Sequence, residues 1–321
     1  MVIYNATKSH VTEFILTGSP SLQVYQDTAF VGFLILYLIV LTGNASLIIA
    51  VVTDRNLHRP MYYFIANLAI LDIIFTTTTV PKILLIFLQK ENSISFTACF
   101  LQIVSYYTVG VYESLLLLVM SFDRYVAICN PLKYMSIITK KFCCQATVVC
   151  CILSFLLIVS QAIITAEFPF CGENKIGQLF CDYYFIIGLI CADTYAITLC
   201  ATCGSIVSAC IPFSLVLYSY IKIFKSVIKV SSAENHHKAM STCISHLLVV
   251  IIFYLSIIVG YIANNADNDS GEFRAITFIF HGIIAPALNP IIYALRNKEV
   301  RKALKKFVVR YSLVEGIANR K

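Results

Sequence analysis

The chain has 321 residues, of which 59% are hydrophobic and only 13% charged, with a strongly positive mean hydropathy. A soluble globular chain carries nearly twice that charged fraction, so an ordinary soluble domain is excluded and a polytopic helical membrane protein becomes the default. The net charge of +7 would suit nucleic acid, but the basic residues are distributed among connectors between apolar spans, which argues against that partner.

Residues 1–27 are mixed and polar and carry an N-glycosylation sequon at Asn5-Ala6-Thr7. No basic stretch with a short apolar core and a small-residue cleavage site precedes the first span, so the first helix is expected to insert as its own signal anchor. Seven apolar spans follow, at 28–52, 61–88, 99–129, 142–166, 198–225, 240–263 and 273–295. Each is long enough to cross a hydrocarbon core of about 30 Å as a helix. An odd number of spans puts the two ends on opposite sides. Of the 24 Lys and Arg, Lys8, Lys82, Lys90, Lys175 and Arg274 fall on the N-terminal side or at the helix ends facing it. The rest lie on the C-terminal side, so the N-terminus is expected outside and the C-terminus in the cytoplasm. The expected division is an extracellular 1–27, a membrane bundle over 28–295 and a cytoplasmic tail over 296–321. Val300, Leu304, Phe307 and Val308 recur at helical spacing among basic residues. That pattern predicts a short amphipathic helix lying on anionic lipid.

Most of the 13 cysteines sit inside spans, where they act as small apolar residues. Cys99, Cys171, Cys181 and Cys191 do not; they fall at the outer end of the third span and in the loop before the fifth. The outside is oxidising, so these four are disulfide candidates, with three possible connectivities. No cysteine or histidine group has zinc spacing.

Asn44, Asp72, Glu113 and Asn289 lie inside spans, where exposure to lipid would cost several kcal/mol. They are expected to face inward. Glu113 stands roughly 16 Å along its helix from Arg124, which places both carboxylates near mid-membrane. Two such groups call for a cation or a shared proton. A carboxylate pair also suits acid catalysis, but no nucleophile, metal or phosphate-loop constellation accompanies it, so an enzyme is not expected. A transporter is disfavoured because the chain has no paired halves with matching interrupted helices.

The most specific stretch is Met120 to Tyr134, MSFDRYVAICNPLKY, which places Asp123, Arg124 and Tyr125 together at the end of the third span. It resembles the third-helix end of the rhodopsin-like G-protein-coupled receptors, and DRYVAICNPLKY is similar to the olfactory receptor form. Further matches run in order along the chain. They are Gly43-Asn44, Leu57 to Tyr62 (LHRPMY), Ser219-Tyr220, Lys238 to Leu247 (KAMSTCISHL), Phe253-Tyr254 and Pro286 to Tyr293 (PALNPIIY), with Leu295-Arg296-Asn297 after it. Ser121-Phe122 stands where the family commonly has Ala-Tyr, and Leu255 where Gly is frequent.

The resemblance implies an all-α, seven-transmembrane bundle that binds a small odorant and activates a heterotrimeric G protein of the stimulatory, olfactory type, raising cyclic AMP. It implies a multi-pass plasma-membrane location, in olfactory sensory cilia, and the bridges Cys99–Cys181 and Cys171–Cys191. It also implies a sodium site at Asp72 and Glu113 with Asn289 close by, in a polar network with Asn44. The implied activation switch comprises Asp123, Arg124, Tyr125, Tyr220, His246, Asn289, Pro290 and Tyr293, with His246 latching the sixth helix to the third. Pro212, Pro286 and Pro290 are expected to kink their helices so that they pivot. Helical register in the outer halves of the third, fifth, sixth and seventh helices gives the pocket candidates. These are Tyr106, Tyr107, Gly110 and Val111; Gly204 and Ser208; Tyr254, Ile257, Ile258 and Tyr261; and Phe278 and His281. No Asp or Glu occupies the third helix at the level of Tyr106, and the candidate walls are aliphatic and aromatic with hydroxyl tips. The expected ligand is therefore small and mostly apolar with one hydrogen-bonding group.

Overall fold

The computed structural model describes residues 11–18, 24–171, 174–228, 233–265 and 276–307, with backbone alone for 233–242, 261 and 263–265. Seven helices are long and apolar enough to cross a membrane, as the sequence predicts. They are α1 (Gln26–Thr53), α2 (Pro60–Gln89), α3 (Phe96–Cys129), α4 (Lys140–Ala166), α5 (Tyr195–Ile228), α6 (Ala233–Asn265) and α7 (Ile276–Arg296). An eighth helix, α8, covers 298–307.

Local chemistry sets several boundaries. Ser95 Oγ accepts the Ala98 N–H at the start of α3, and Thr139 Oγ1 accepts that of Phe142 at the start of α4. Pro60 opens α2, where a missing N–H costs nothing, and Lys90 closes it in the left-handed region at φ 57°. The helices overrun the apolar spans. α6 is helical from Ala233, the first residue described after 228, which is already some two turns before the hydrophobic run at 240, since backbone hydrogen bonds and propensity carry a helix beyond its apolar stretch.

The bundle is organised around α3, which packs against α2, α4, α5 and α6, while α1 lies against α2 and α7. One core runs the length of the bundle through Leu68, Phe75, Leu116, Met120, Phe253 and Tyr293. A second core closes one end of it, where Phe14, Leu16, Cys99, Ile103, Ile176, Cys181 and Ile186 meet. Its frame is a small sheet that sequence periodicity missed. β1 (Glu13–Leu16) pairs antiparallel with β2 (Ser93–Ser95) and parallel with β3 (Lys175–Ile176). Alternation along β1 sends Phe14 and Leu16 inward, at 0% and 1% exposure. Both disulfides implied by the resemblance are present, Cys99–Cys181 and Cys171–Cys191.

α8 departs from the expected membrane-surface helix in one respect. Val300 and Ala303 are buried in the bundle core and Leu304 packs against it. The cause is the bend at Asn297, whose Oδ1 accepts the N–H groups of Glu299 and Val300 and the Tyr62 hydroxyl. Lys306 Nζ reaches Asp54 Oδ2 at 3.0 Å. Val308 lies outside the described residues, as do Asn5 and Arg274.

Candidate functional site

Prolines interrupt the helix ladders of α2, α5 and α7, and each removes the donor that the carbonyl four residues earlier would have used. Pro212 frees Ser208 O, which takes the Ser114 hydroxyl of α3 at 3.0 Å. Pro286 frees Gly282 O, which lies 3.3 Å from the Thr76 hydroxyl of α2, although the single proton of that hydroxyl has a nearer acceptor in Asp72 O at 2.9 Å. Pro290 frees Pro286 O, which takes Asn44 Nδ2 of α1 at 3.1 Å. At Pro212 and Pro290 a side chain on a neighbouring helix thus replaces the lost backbone donor, the remedy a dry interior demands. Gly43 lets α1 approach, since a Cβ there would meet Pro290 Cγ at 3.0 Å. A π-turn at Phe280–Ile284 adds to the irregularity of α7. Pro81 also lies inside α2. Gln102 Nε2 donates to Thr78 O beside it, while Gln102 Oε1 accepts the Cys181 N–H.

Between the irregular parts of α5 and α7 lies a cavity of about 250 Å³. Of the pocket candidates, Tyr106, Tyr107, Gly110, Val111, Gly204, Ser208, Ile257, Phe278 and His281 line it. Three do not. Ile258 is 49% exposed on the outside of the bundle, because α6 turns the face of Phe253, Ser256, Ile257 and Gly260 to the cavity and Ile258 lies off that face. Tyr254 is buried behind the wall, its hydroxyl 3.0 Å from Ser114 Oγ. The side chain of Tyr261 lies outside the described residues.

Wall residues on the same four helices also stand outside those candidates, among them Ile103, Ser114, Ser205, Ser256 and Thr277, and register along those helices could not supply the residues that come from elsewhere. Phe75 of α2 stacks on Tyr106 at 4.4 Å, and Leu157, Ile158 and Gln161 come from α4. Gln178, Phe180, Asp182, Tyr183 and Tyr184 come from the loop before α5. The sequence carried one signal for them. Cys181 sits among them, and its bridge to the first turn of α3 forces the flanking residues over the cavity. Phe180 stacks on Phe278 at 4.3 Å. Asp182 accepts the Tyr107 hydroxyl at 3.0 Å and caps the short helix Tyr183–Gly188.

Below the cavity Asp72 is fully buried, and Asn289 Nδ2 lies 3.0 Å from each of its oxygens. Glu113 is buried on the facing helix. Asn44 Oδ1 is buried without a hydrogen-bond partner. Among the described residues no group of three or more His, Cys, Asp or Glu side chains is placed to hold a metal ion.

At the far end Arg124 Nε donates to Asp123 Oδ2 at 2.9 Å and its Nη2 to the same oxygen, while the Tyr134 hydroxyl donates to Asp123 Oδ1 at 2.8 Å. Burial first, and then the Asp123 carboxylate, hold the Tyr134 hydroxyl above the ordinary tyrosine pKa. His246 Nδ1 meets the Tyr220 hydroxyl at 2.6 Å, so its partner is on α5 and not on α3 as the resemblance implied. The reason is geometric: α5 and α6 pack side by side here, bringing the two rings parallel at 6.0 Å. Tyr125 faces the same α5–α6 contact, among Ile223, Val227 and Cys243. Tyr293 is buried, and its hydroxyl has no hydrogen-bond partner.

A seven-helix bundle with a disulfide-tied loop over a cavity and a buried Asp-Arg pair at the other end is a membrane receptor of the rhodopsin-like, G-protein-coupled class. The family comparison narrows this. The olfactory receptor family model matches residues 33–311. The chain is 40% identical to human olfactory receptor 11G2 over 96% of its own length and 89% of that protein. It is 38% identical to mouse olfactory receptor 6E1 over 95% of its length and 98% of that protein, and 40% identical to human olfactory receptor 10A5 over 95% and 96%. The chain belongs to the olfactory receptor family, and is a multi-pass membrane protein with a signalling and not an enzymatic role.

Proposed function

We propose that the cavity is the odorant site and that its occupation activates a stimulatory, olfactory-type heterotrimeric G protein, raising cyclic AMP. The observation that carries this reading is the cavity itself. It is walled largely by aromatic and aliphatic side chains, capped by the loop around Cys181, and set against the breaks in α5 and α7. A wall of this kind suits a small, mostly apolar ligand with one hydrogen-bonding group. Two interrupted helices beside it give a ligand something bistable to bias.

In this reading Asp123 and Tyr134 hold Arg124 at rest. Activation swings α6 outward, breaks the His246–Tyr220 contact, and rearranges Tyr220 and Tyr293 around Arg124 to admit the G protein, with Tyr125, Asn289 and Pro290 in the moving parts. The end bearing the disulfides is extracellular and the Arg124 end cytoplasmic, in the plasma membrane of olfactory cilia. The 1–27, 28–295 and 296–321 divisions follow that topology, and Asn5 is glycosylated. Asp72 and Glu113 would hold a sodium ion. Their oxygen donors, with the unpartnered Asn44 Oδ1, have the hardness such a cation requires. The ion would neutralise the buried carboxylates at rest.

The test is cyclic AMP in cells expressing the chain with an olfactory-type G protein, challenged with a broad odorant panel, beside Arg124→Ala at matched surface level. A response lost in the variant supports the reading. Ligand-driven flux that survives it would sink the receptor mechanism.

A further inference from the structure

We infer that His281, held by Ser256, is the hydrogen-bond acceptor in the cavity wall that receives a donor group of the odorant, so that the site favours alcohols and other hydroxyl-bearing ligands. This rests on the cavity being the odorant site.

The argument is an account of protons. Ser256 Oγ lies 2.6 Å from the Phe253 carbonyl oxygen and 2.6 Å from His281 Nδ1. A carbonyl oxygen only accepts, so the single Ser256 proton is committed to Phe253 O. The bond to His281 must therefore run the other way, with Nδ1–H donating to Ser256 Oγ. In a neutral imidazole one nitrogen carries the proton and the other a lone pair, so Nε2 is an acceptor. Among the described residues no side chain or backbone group hydrogen-bonds Nε2, and both His281 and Ser256 line the cavity. The surroundings favour the neutral ring. His281 packs edge-on against Phe75 at 5.3 Å and tilted against Phe253 at 5.8 Å, and its hydrogen-bond partner is a hydroxyl and not a carboxylate.

The neighbouring hydroxyls offer the ligand no free donor, because their protons are committed within the protein. The Ser114 proton goes to Ser208 O, so Tyr254 must donate to Ser114. The Ser208 proton goes to Ser205 O. Each of these donors is satisfied within the protein before a ligand arrives. The π-turn that begins at Phe280 places His281 in its first turn, and Gly282 makes room beside it, since a Cβ there would meet Phe278 Cε2 at 2.9 Å. His281 thus sits in the wall with one nitrogen occupied and the other open.

The experiment compares isomeric odorants that differ in possessing a donor. Heptanol is paired with hexyl methyl ether, and phenethyl alcohol with benzyl methyl ether. Cyclic AMP is read from the full-length chain, from His281→Phe and His281→Gln, and from Ser256→Ala, at matched surface level. One hydrogen bond to an unpaired buried acceptor predicts an alcohol about tenfold more potent than its ether isomer. His281→Phe should abolish that ratio without weakening the ether. His281→Gln, which restores an acceptor beside a donor, should bring the alcohol back and improve the ether with it. Ser256→Ala releases the tautomer and should shrink the ratio to a few-fold, an effect that mere loss of packing would not produce. Equal potency of the isomers in the unaltered chain overturns the inference, as does a ratio that survives His281→Phe. Responses confined to donor-free odorants also overturn it while leaving the odorant site standing. Silence to every odorant class from a well-surfaced receptor counts against the odorant site itself, and the inference falls with it.

Discussion

Asn44 of α1 donates from Nδ2 to the Pro286 carbonyl of α7 at 3.1 Å, and that carbonyl is the one Pro290 leaves without its helical donor. The same logic joins Ser114 to Ser208 O across from Pro212. Asn44→Val should therefore strand a buried carbonyl and lower thermal stability in detergent by about 1–3 kcal/mol. In a Pro290→Ala background, where the backbone donor returns, the same substitution should cost much less. A double-mutant cycle measures that coupling. Equal costs in the two backgrounds would show that Asn44 acts through some other contact.

The Arg124 end makes a second prediction. Tyr134 and Arg124 share the Asp123 carboxylate, one on each oxygen. Tyr134→Phe removes one restraint on Asp123 and should raise basal cyclic AMP, while Asp123→Asn should raise it further. The Tyr134 pKa lies above its unfolded value, so its contribution is fully present below ordinary tyrosine ionisation and is lost only at higher pH. Basal signalling should accordingly stay flat from about pH 6 to 9, below the ordinary tyrosine pKa of about 10. A rise within that window would show the hydroxyl ionising where its surroundings oppose it.

The two disulfides should not be equivalent. Cys99–Cys181 closes a sequence separation of 82 and Cys171–Cys191 one of 20, so loop-closure entropy alone favours the former by about 1 kcal/mol. Backbone bonds from Cys171 N to Leu189 O and from Cys191 N to Pro169 O also hold the shorter loop without its sulfurs. Cys99→Ser should abolish surface expression, whereas Cys171→Ser with Cys191→Ser should reduce it only in part, as flow cytometry of an epitope-tagged chain would show.

Gly204 sets the width of the cavity on the α5 side. A Cβ there would lie 2.7 Å from Gln161 Nε2, the far end of a flexible side chain that can turn away into the cavity. Gly204→Ala should leave surface expression unchanged and weaken responses to the bulkiest agonists most. A uniform loss across all agonists would point to misfolding instead.

Much of the site was legible because its residues obey helical register. Tyr106, Tyr107 and Gly110 share one face of α3, and that face does line the cavity. At the centre of the bundle, α3 brings even consecutive pairs such as Tyr106 and Tyr107 to the wall. Register failed at Ile258 because α6 meets the cavity along one face, through Phe253, Ser256, Ile257 and Gly260, and Ile258 turns off that face. It was also blind to contributions that depend on a loop crossing the bundle, such as Phe180 on Phe278. β1 was missed because four residues in a polar segment carry too little alternation to be seen, and its partners lie some 80 and 160 positions away.

By itself the sequence determined the number of spans, their order and the motif at each helix end, since each follows from local hydrophobicity and residue type. It also held the four cysteines from which two bridges form. Only the tertiary structure decided which cysteines meet, which side chains answer Pro212 and Pro290, and that His246 bonds to Tyr220 and not to α3. Those outcomes depend on which helix faces lie together. A buried polar atom takes whatever partner packing brings within about 3 Å, and no local property of the chain states that distance.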